Sequence, residues 1–201
     1  LLNPVFREFY SERDVVREER RMRVESNPTA KFEEQFDFMF WGSIPYHHPV
    51  IGWPSDVESI NRAQAEHFFS TFYAPNNITA ALVGDFDTDE AVALAKKYFG
   101  RIPRGETDPP EIITEEIEQI QERRMTATAD TNPSVQIRWH AVSFVNGDSY
   151  PLDVLTEILS GRTGRFYKAL VEEKGLATGE PYAYLSAQRF AGSVEVGAEL
   201  V

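Results

Sequence analysis

The sequence predicts a fold that mixes α-helices with β-strands in two halves joined by a linker, and three patterns carry this prediction. Residues 87–100 have the signals of a helix at both ends, because Asp87 can cap its start and Gly100 ends it. Residues 134–144 alternate apolar and polar side chains, which is the period of a half-buried strand. Residues 102–113 are rich in proline, as expected of a linker.

The rest of the first half is predicted to be mostly helical. Its helical segments contain apolar residues available for burial, and Asn27-Pro28 ends the first of them. An apolar run of strand length follows and ends at Gly84-Asp85. The predicted elements are helices over residues 5–24, 30–40 and 59–72, a proline-rich loop over residues 42–54, and a strand over residues 78–83.

The second half combines strands with two shorter helices, which end at Gly161 and Gly175. His140 falls on the polar side of the alternating strand, so we expect its ring to be exposed. The acidic residues 115–122 fit either an edge strand or an exposed segment. The other predicted elements are helices over residues 152–159 and 165–173 and strands over residues 182–187 and 193–200.

Composition excludes several classes of function. The chain has 201 residues, of which 42% are hydrophobic, so it can bury a sizeable core. Its net charge of −12 disfavours binding to nucleic acid, because the phosphate backbone would repel it. The absence of cysteine excludes disulfides, thiolate zinc sites and a cysteine nucleophile. No apolar run reaches the length of about 18 residues that a transmembrane helix needs.

Glu12 and Glu19 are the candidate site residues. They lie seven residues apart in a predicted helix, so both carboxylates emerge on one face. A carboxylate on a rigid helix is a good ligand for zinc, and a second one nearby can orient it. Spacing alone also fits a solvent-facing helix, since Glu19 and Arg23 have the i,i+4 spacing of a surface ion pair.

Several segments match one family pattern in order along the chain. They are residues 12–19 (ERDVVREE), 49–52 (PVIG), 72–87 (FYAPNNITAALVGDFD), 160–170 (SGRTGRFYKAL) and 173–177 (EKGLA). In the family pattern, these segments correspond in order to a helical E-R-x-x-V-x-x-E segment, the loop after that helix, a Y-x-P-x-N-M-x-L-x-V-x-G-D-x-D strand, an S-S-R-L-Y-x-x-L helix and a G-L-A turn. As an ordered set, they resemble the pitrilysin/insulinase (M16, inverzincin) family of zinc peptidases.

The resemblance implies an α+β fold made of two consecutive, truncated M16-type domains, each a mainly antiparallel sheet packed with helices. Residues 1–101 would be the C-terminal part of the first domain, and residues 114–201 the N-terminal part of the second. The chain starts at Leu1 without an initiator methionine, which fits this interpretation of an internal fragment.

The resemblance also implies a zinc site. In the family, two histidines of an H-x-x-E-H helix and a distant glutamate hold zinc, and the glutamate inside the motif is the general base. Glu19 would then be the third zinc ligand and Glu12 a supporting carboxylate. None of the four histidines forms an i,i+4 pair. The motif is therefore expected about 70–80 residues before Glu19, upstream of Leu1, so that both histidine ligands lie outside this chain.

The function implied is that of a fragment of a zinc metalloendopeptidase, inactive by itself because one glutamate cannot hold zinc. The alternative is a non-catalytic M16-like subunit that binds peptides or acts as a scaffold. The implied partners are peptide substrates and a second M16 half or subunit, and a homodimer is compatible with the resemblance. The sequence fits the bacterial periplasm or cell envelope and the cytoplasm equally.

Overall fold

The computed structural model describes residues 5–201; residues 1–4, where the first predicted domain begins, lie outside the described part. It contains helices and an antiparallel sheet, which confirms the α+β class. The helices are α1 (Phe9–Arg20), α2 (Pro28–Phe40), α3 (Pro54–Ser59), α4 (Arg62–Phe72), α5 (Thr88–Phe99) and α6 (Ser149–Leu159). The strands are β1 (Ser134–Ala141), β2 (Ala177–Ala187) and β3 (Gly192–Leu200).

The chain forms two compact units. The first comprises the chain up to Ala30 together with His48–Thr114, and the second comprises Lys31–His47 together with Glu115–Val201. Helix α2 crosses from one unit into the other at residue 30. The division into domains of residues 1–101 and 114–201 stays a prediction.

Two helices of the first unit, α4 and α5, begin where side chains supply acceptors for free backbone N–H groups. The Asn61 side chain accepts from the Gln64 N–H at 3.1 Å, and the Gln64 side chain accepts from the Asn61 N–H at 2.9 Å, which is a complete capping box for α4. This cap explains why α4 begins at Arg62, three residues after the predicted start at residue 59. At the start of α5, the Asp87 side chain accepts from the Glu90 N–H at 2.8 Å.

Two predicted helices contain wider, π-helical turns. Helix α1 is shorter than the predicted residues 5–24, and a π-helical turn over Arg21–Glu25 continues it. The helix predicted over residues 165–173 is π-helical over Tyr167–Glu173. Such turns widen the backbone locally and change the direction of the side chains that follow.

The prediction of a strand over residues 78–83 is wrong for the part of the chain that the structure describes. This segment joins no sheet there, and the Val83 side chain is 95% exposed. A strand needs a neighbouring backbone for its N–H and C=O groups, and none of the described segments pairs with this one. Leu82 and Phe86 instead line an open, mostly apolar hollow of about 360 Å³ beside α5.

The second unit contains the sheet, in which β3 lies between β1 and β2 and pairs antiparallel with both. β1 and β3 confirm the predicted strands. β2 begins at Ala177, earlier than predicted, and its pairing with β3 is irregular between Thr178 and Tyr182. Gly197 lies opposite Tyr182, and a Cβ atom at Gly197 would meet the tyrosine ring, so any larger residue here would have to displace that ring.

An aromatic cluster at the end of α2 forms the buried core of the second unit. Phe40, Trp41 and Ile44 are all buried there, with Tyr46 packed against them. Helix α6 packs on β2. Ser160, directly after α6, connects the end of this helix to β2, because its hydroxyl accepts from the Ala183 N–H at 2.8 Å. The sheet therefore has helices available to bury its apolar side chains.

Arg138 is the centre of an ionic cluster between α2 and the sheet. Its side chain is 10% exposed and lies 2.7 Å from the Glu195 carboxylate on β3. It also forms an ion pair with Asp37 and lies 3.6 Å from Glu33, both on α2. Tyr182 donates to Glu195 at 2.7 Å, and burial followed by this hydrogen bond raises the pKa of the tyrosine hydroxyl. The cluster therefore links α2 to all three strands through ion pairs and a hydrogen bond.

Residues 115–122 form no strand among the described residues, so the exposed-segment alternative holds. Glu116 shows why, because its carboxylate accepts from three successive backbone N–H groups, those of Gly42 at 2.7 Å, Ser43 at 3.2 Å and Ile44 at 3.0 Å. Burial alone raises the pKa of Glu116, but these three hydrogen bonds lower it overall. The segment is therefore fastened to the end of α2 instead of to a strand.

The prediction that His140 is exposed is wrong. Its ring stacks on Phe40 with centroids 4.1 Å apart, and both ring nitrogens are buried without a hydrogen-bond partner among the described residues. Trp41 packs against the ring edge-on at 5.3 Å. Burial lowers the pKa of His140. The Glu116 charge offsets part of this effect and the Arg123 charge adds to it, so the pKa is lowered overall. The polar side of β1 is thus covered at this end by Phe40, the last residue of α2, and by Trp41, which follows it.

This burial makes the stability of the second unit depend on pH. Because the pKa of His140 in the folded protein lies below the usual 6.5, the unfolded chain binds the proton first, and stability falls as the pH drops through 6.5. We expect a slope of up to about 1.4 kcal/mol per pH unit from this residue. Urea unfolding between pH 7.5 and pH 5.5 measures it. His140→Phe should remove this slope, and His67→Gln, at an exposed histidine of α4, should leave it unchanged.

Candidate functional site

Helix α1 carries both predicted site glutamates on one side. Successive residues of an α-helix are about 100° apart, so Glu12 and Glu19 differ by only about 20° around the helix axis and by about 10 Å along it. Ion pairs support the helix, with Asp14 and Arg17 at 3.3 Å within it and Glu18 and Arg21, the first residue of the π-helical turn, at 2.8 Å. The structure therefore places the two glutamates on one helical face, as the spacing predicts.

Glu19 faces a hollow that runs along α1. Its side chain is 37% exposed, and its Oε1 atom lies 2.9 Å from Nη1 of Arg23. This is the i,i+4 ion pair that the sequence suggests. The open hollow has a volume of about 560 Å³ and is lined by Ser11, Asp14, Val15, Glu18, Glu19, Met22 and Arg23. The carboxylate thus lies on a surface with apolar and acidic side chains, accessible to an approaching group.

Glu12 lies in the first turn of α1 and is exposed. Its backbone N–H donates to the Glu8 carbonyl at 3.0 Å. Its carboxylate makes no hydrogen bond or ion pair with residues 5–201. The structure thus shows no contact between the carboxylates of Glu12 and Glu19. Their roles as supporting carboxylate and zinc ligand stay predictions.

Three arginines on another face of α1, missed by the sequence reasoning, hold the helix against the segment over residues 49–60. Arg13 donates to the Ile60 carbonyl at 3.2 Å, Arg17 donates to the Glu58 carboxylate at 2.9 Å, and Arg20 donates to the Gly52 carbonyl at 2.8 Å. We call Arg13, Arg17 and Arg20 the arginine stripe. Their i, i+4 and i+7 spacing is the signal that predicts a common face.

A complete zinc site is not assembled within residues 5–201, where no three His, Asp or Glu side chains form a metal-binding group. His48 accepts from Trp53 through Nδ1 at 3.0 Å. His47 packs edge-on against Phe38 with centroids 5.7 Å apart. The donor chemistry that is present fits one ligand of a zinc site, the Glu19 carboxylate on a rigid helix beside an open hollow. None of the described helices is long and apolar enough to cross a membrane.

The antiparallel sheet packed with helices, and a helix that carries two glutamates on one side, define an α+β protein with the features expected of an M16 peptidase. The family model described as "Peptidase M16 inactive domain" matches residues 59–198, more than two thirds of the chain. The chain therefore belongs to this family, which confirms the resemblance. Glu12 and Glu19 precede the matched region.

Individual relatives agree with the family. The zinc protease PqqE of Helicobacter pylori is 28% identical to this chain over 177 residues, which cover 85% of the chain and 39% of PqqE. The crystal structure of a protease from Helicobacter pylori has a TM-score of 0.88 at 25% identity and covers 100% of this chain and 49% of that one. The chain therefore spans less than half the length of both relatives.

A further solved structure supports the fold alone. The peptidase M16 inactive domain from Pseudomonas fluorescens has a TM-score of 0.79 at 20% identity and covers 98% of this chain and 48% of that one. Its similarity extends over both compact units, since so little of the chain is left uncovered.

Proposed function

We propose that this chain is part of an M16 zinc metalloendopeptidase and that Glu19 is one of its zinc ligands. The observation that carries the proposal is the position of Glu19, a carboxylate on a rigid helix that faces a hollow, in a chain that belongs to the M16 family. The zinc protease name of the PqqE relative supports the reaction class. Peptides are the proposed substrates, and a second M16 half or subunit is the proposed partner.

The residues of this chain have distinct roles in the proposed mechanism. Glu19 would hold the metal and would exchange its present ion pair with Arg23 for a metal–oxygen bond. Glu12, on the same side of α1, would orient a neighbouring ligand through a hydrogen bond. When bound, zinc supplies a Lewis acid that activates water for attack on the peptide carbonyl. Two histidine ligands would come from outside this chain.

The first test compares the whole protein with the 201-residue chain. We expect the whole protein to contain about one zinc ion per molecule and to cleave unstructured peptides, with cleavage lost on chelation and restored by zinc. We expect the 201-residue chain alone to show no zinc-dependent cleavage, because its described residues offer no group of three metal ligands. Zinc content measured by mass spectrometry and cleavage of a fluorogenic peptide provide the two readouts. Zinc-dependent cleavage by the chain alone would contradict the proposal.

A second candidate function is a non-catalytic subunit that binds peptides or acts as a scaffold in a peptidase complex. The description of the matching family as an inactive domain favours it. The same measurements separate the two functions, because a non-catalytic subunit would bind peptide without zinc and would be insensitive to chelation. An H-x-x-E-H motif upstream of this chain in its gene would favour the peptidase.

A further inference from the structure

We propose that Arg20 is a positioning residue for Glu19, because its buried guanidinium fixes how α1 is turned about its own axis. This inference rests on the proposed function of Glu19 as a zinc ligand. Arg20 belongs to the arginine stripe and follows Glu19 directly in the sequence. Any rotation of α1 that moved Arg20 out of its site would therefore also move the Glu19 carboxylate.

The environment of Arg20 resists such a rotation. Its side chain is 4% exposed, and Nη1 donates to the Gly52 carbonyl at 2.8 Å. Nε lies 3.5 Å from the Glu25 carboxylate, which the π-helical turn after α1 supplies. Moving the buried guanidinium away from the Gly52 carbonyl and the Glu25 carboxylate leaves a charge and a carbonyl without compensation, which is costly in a protein interior. The contacts of Arg20 therefore restrain the rotation of α1 about its axis.

The acceptor of Arg20 is itself held in place. Gly52 has a φ of +83°, a conformation that favours glycine, and its N–H donates to the Pro49 carbonyl at 2.9 Å to close a turn. A Cβ atom at Gly52 would lie 3.0 Å from Val57 on α3, so the turn sits directly against that helix. The carbonyl that receives Arg20 therefore belongs to a closed turn backed by α3.

The other two arginines of the stripe support the same orientation with weaker contacts. Arg17 and its partner Glu58 are both about half exposed, with side-chain exposures of 46% and 62%, so their ion pair is screened by solvent. Arg13 adds a hydrogen bond to the Ile60 carbonyl at 3.2 Å. Because these contacts extend from the second turn of α1 to its last residue, they also restrain its tilt. Arg20 is the best buried of the three.

Zinc coordination requires a precise position of the Glu19 carboxylate, and that position depends on how α1 is rotated about its axis. A carboxylate about 6 Å from the helix axis moves by about 2 Å when the helix turns by about 20°. Zinc–oxygen bonds are about 2.0–2.2 Å long and tolerate deviations of only about 0.2 Å. A modest loosening of α1 would therefore withdraw Glu19 from the coordination distance, and groups that orient a ligand typically change metal affinity by about 10–100-fold.

The experiment measures the zinc dissociation constant of the whole protein by competition with a chelator, far below the melting temperature. We expect Arg20→Met to weaken zinc binding by about 10–100-fold. Arg20→Lys keeps the charge but loses the guanidinium fork, and we expect it to weaken binding by at least about threefold. Arg21→Gln is the matched control, because within residues 5–201 the Arg21 side chain pairs only with Glu18, and zinc binding should stay within about twofold.

The outcomes separate this inference from the proposed function. A folded Arg20→Met variant with the zinc affinity of the unaltered protein overturns the positioning role. If that variant does not fold, unaltered affinity in Arg20→Lys overturns it instead. A lower melting temperature with unchanged zinc affinity is the signature of a purely structural arginine, and it also counts against the proposal. Retention of zinc by Glu19→Gln would reject the proposed function itself, whatever Arg20 does.

Discussion

Replacement of Glu19 with glutamine in the whole protein is expected to abolish zinc retention and peptide cleavage. The substitution keeps the size of the side chain but removes the negative charge that a zinc ligand supplies. Only two histidine ligands would remain, which is fewer than the three protein ligands of a catalytic zinc site. Because Glu19 is partly exposed and its ion pair with Arg23 is a surface pair, the fold should be almost unaffected.

The measurements are zinc content after dialysis, cleavage of a fluorogenic peptide, and the thermal midpoint without metal. Glu18→Gln is the matched control, since Glu18 lines the same hollow and carries the same charge but has no predicted ligand role. It should retain zinc and activity. Glu12→Gln should reduce activity but lose less zinc than Glu19→Gln does. We expect it to weaken the metal affinity by at most about 10–100-fold. Full zinc occupancy and normal cleavage in Glu19→Gln would reject the ligand assignment.

Sequence patterns predict best the elements whose signals are local. The alternation along residues 134–144 predicts β1, and the Asp87 cap predicts the start of α5, because both depend on neighbours in the chain. β2 is recognised only in part, since Gly179 and Pro181 interrupt its pattern at the irregular stretch of its pairing with β3. Residues 78–83 have the composition of a strand, but a strand also requires a partner, which composition does not supply.

The same distinction applies to the candidate site. The seven-residue spacing of Glu12 and Glu19 is sufficient to place them on one side of a helix. The burial of Arg20 is not predictable in this way, because its acceptor is the carbonyl of Gly52, 32 residues away, and charged side chains at helical spacing usually face water. His140 is a similar case, since its ring is buried by aromatic residues about 100 positions earlier in the chain.

Replacement of Arg138 with methionine is expected to destabilise the second unit by about 3 kcal/mol, because removal of one partner from a buried ionic cluster leaves the other charges uncompensated. Glu195 would lose its closest cation, and Asp37 and Glu33 would remain beside it on α2. Burial followed by the Glu195 charge already raises the pKa of Glu33, while Arg138 lowers it. Without the arginine, these carboxylates would repel one another at neutral pH.

Urea unfolding followed by circular dichroism measures this loss, and its pH dependence identifies the cause. A carboxyl group with a raised pKa in the folded state costs stability above that pKa and less as the pH falls through it. The deficit of Arg138→Met should therefore shrink between pH 7 and pH 4. Arg124→Met is the control, because Arg124 pairs with Glu122 on the exposed surface and its loss should barely change the midpoint. A deficit that stays constant with pH would show that Arg138 acts through its packing on Phe36 and Phe40 instead of through charge.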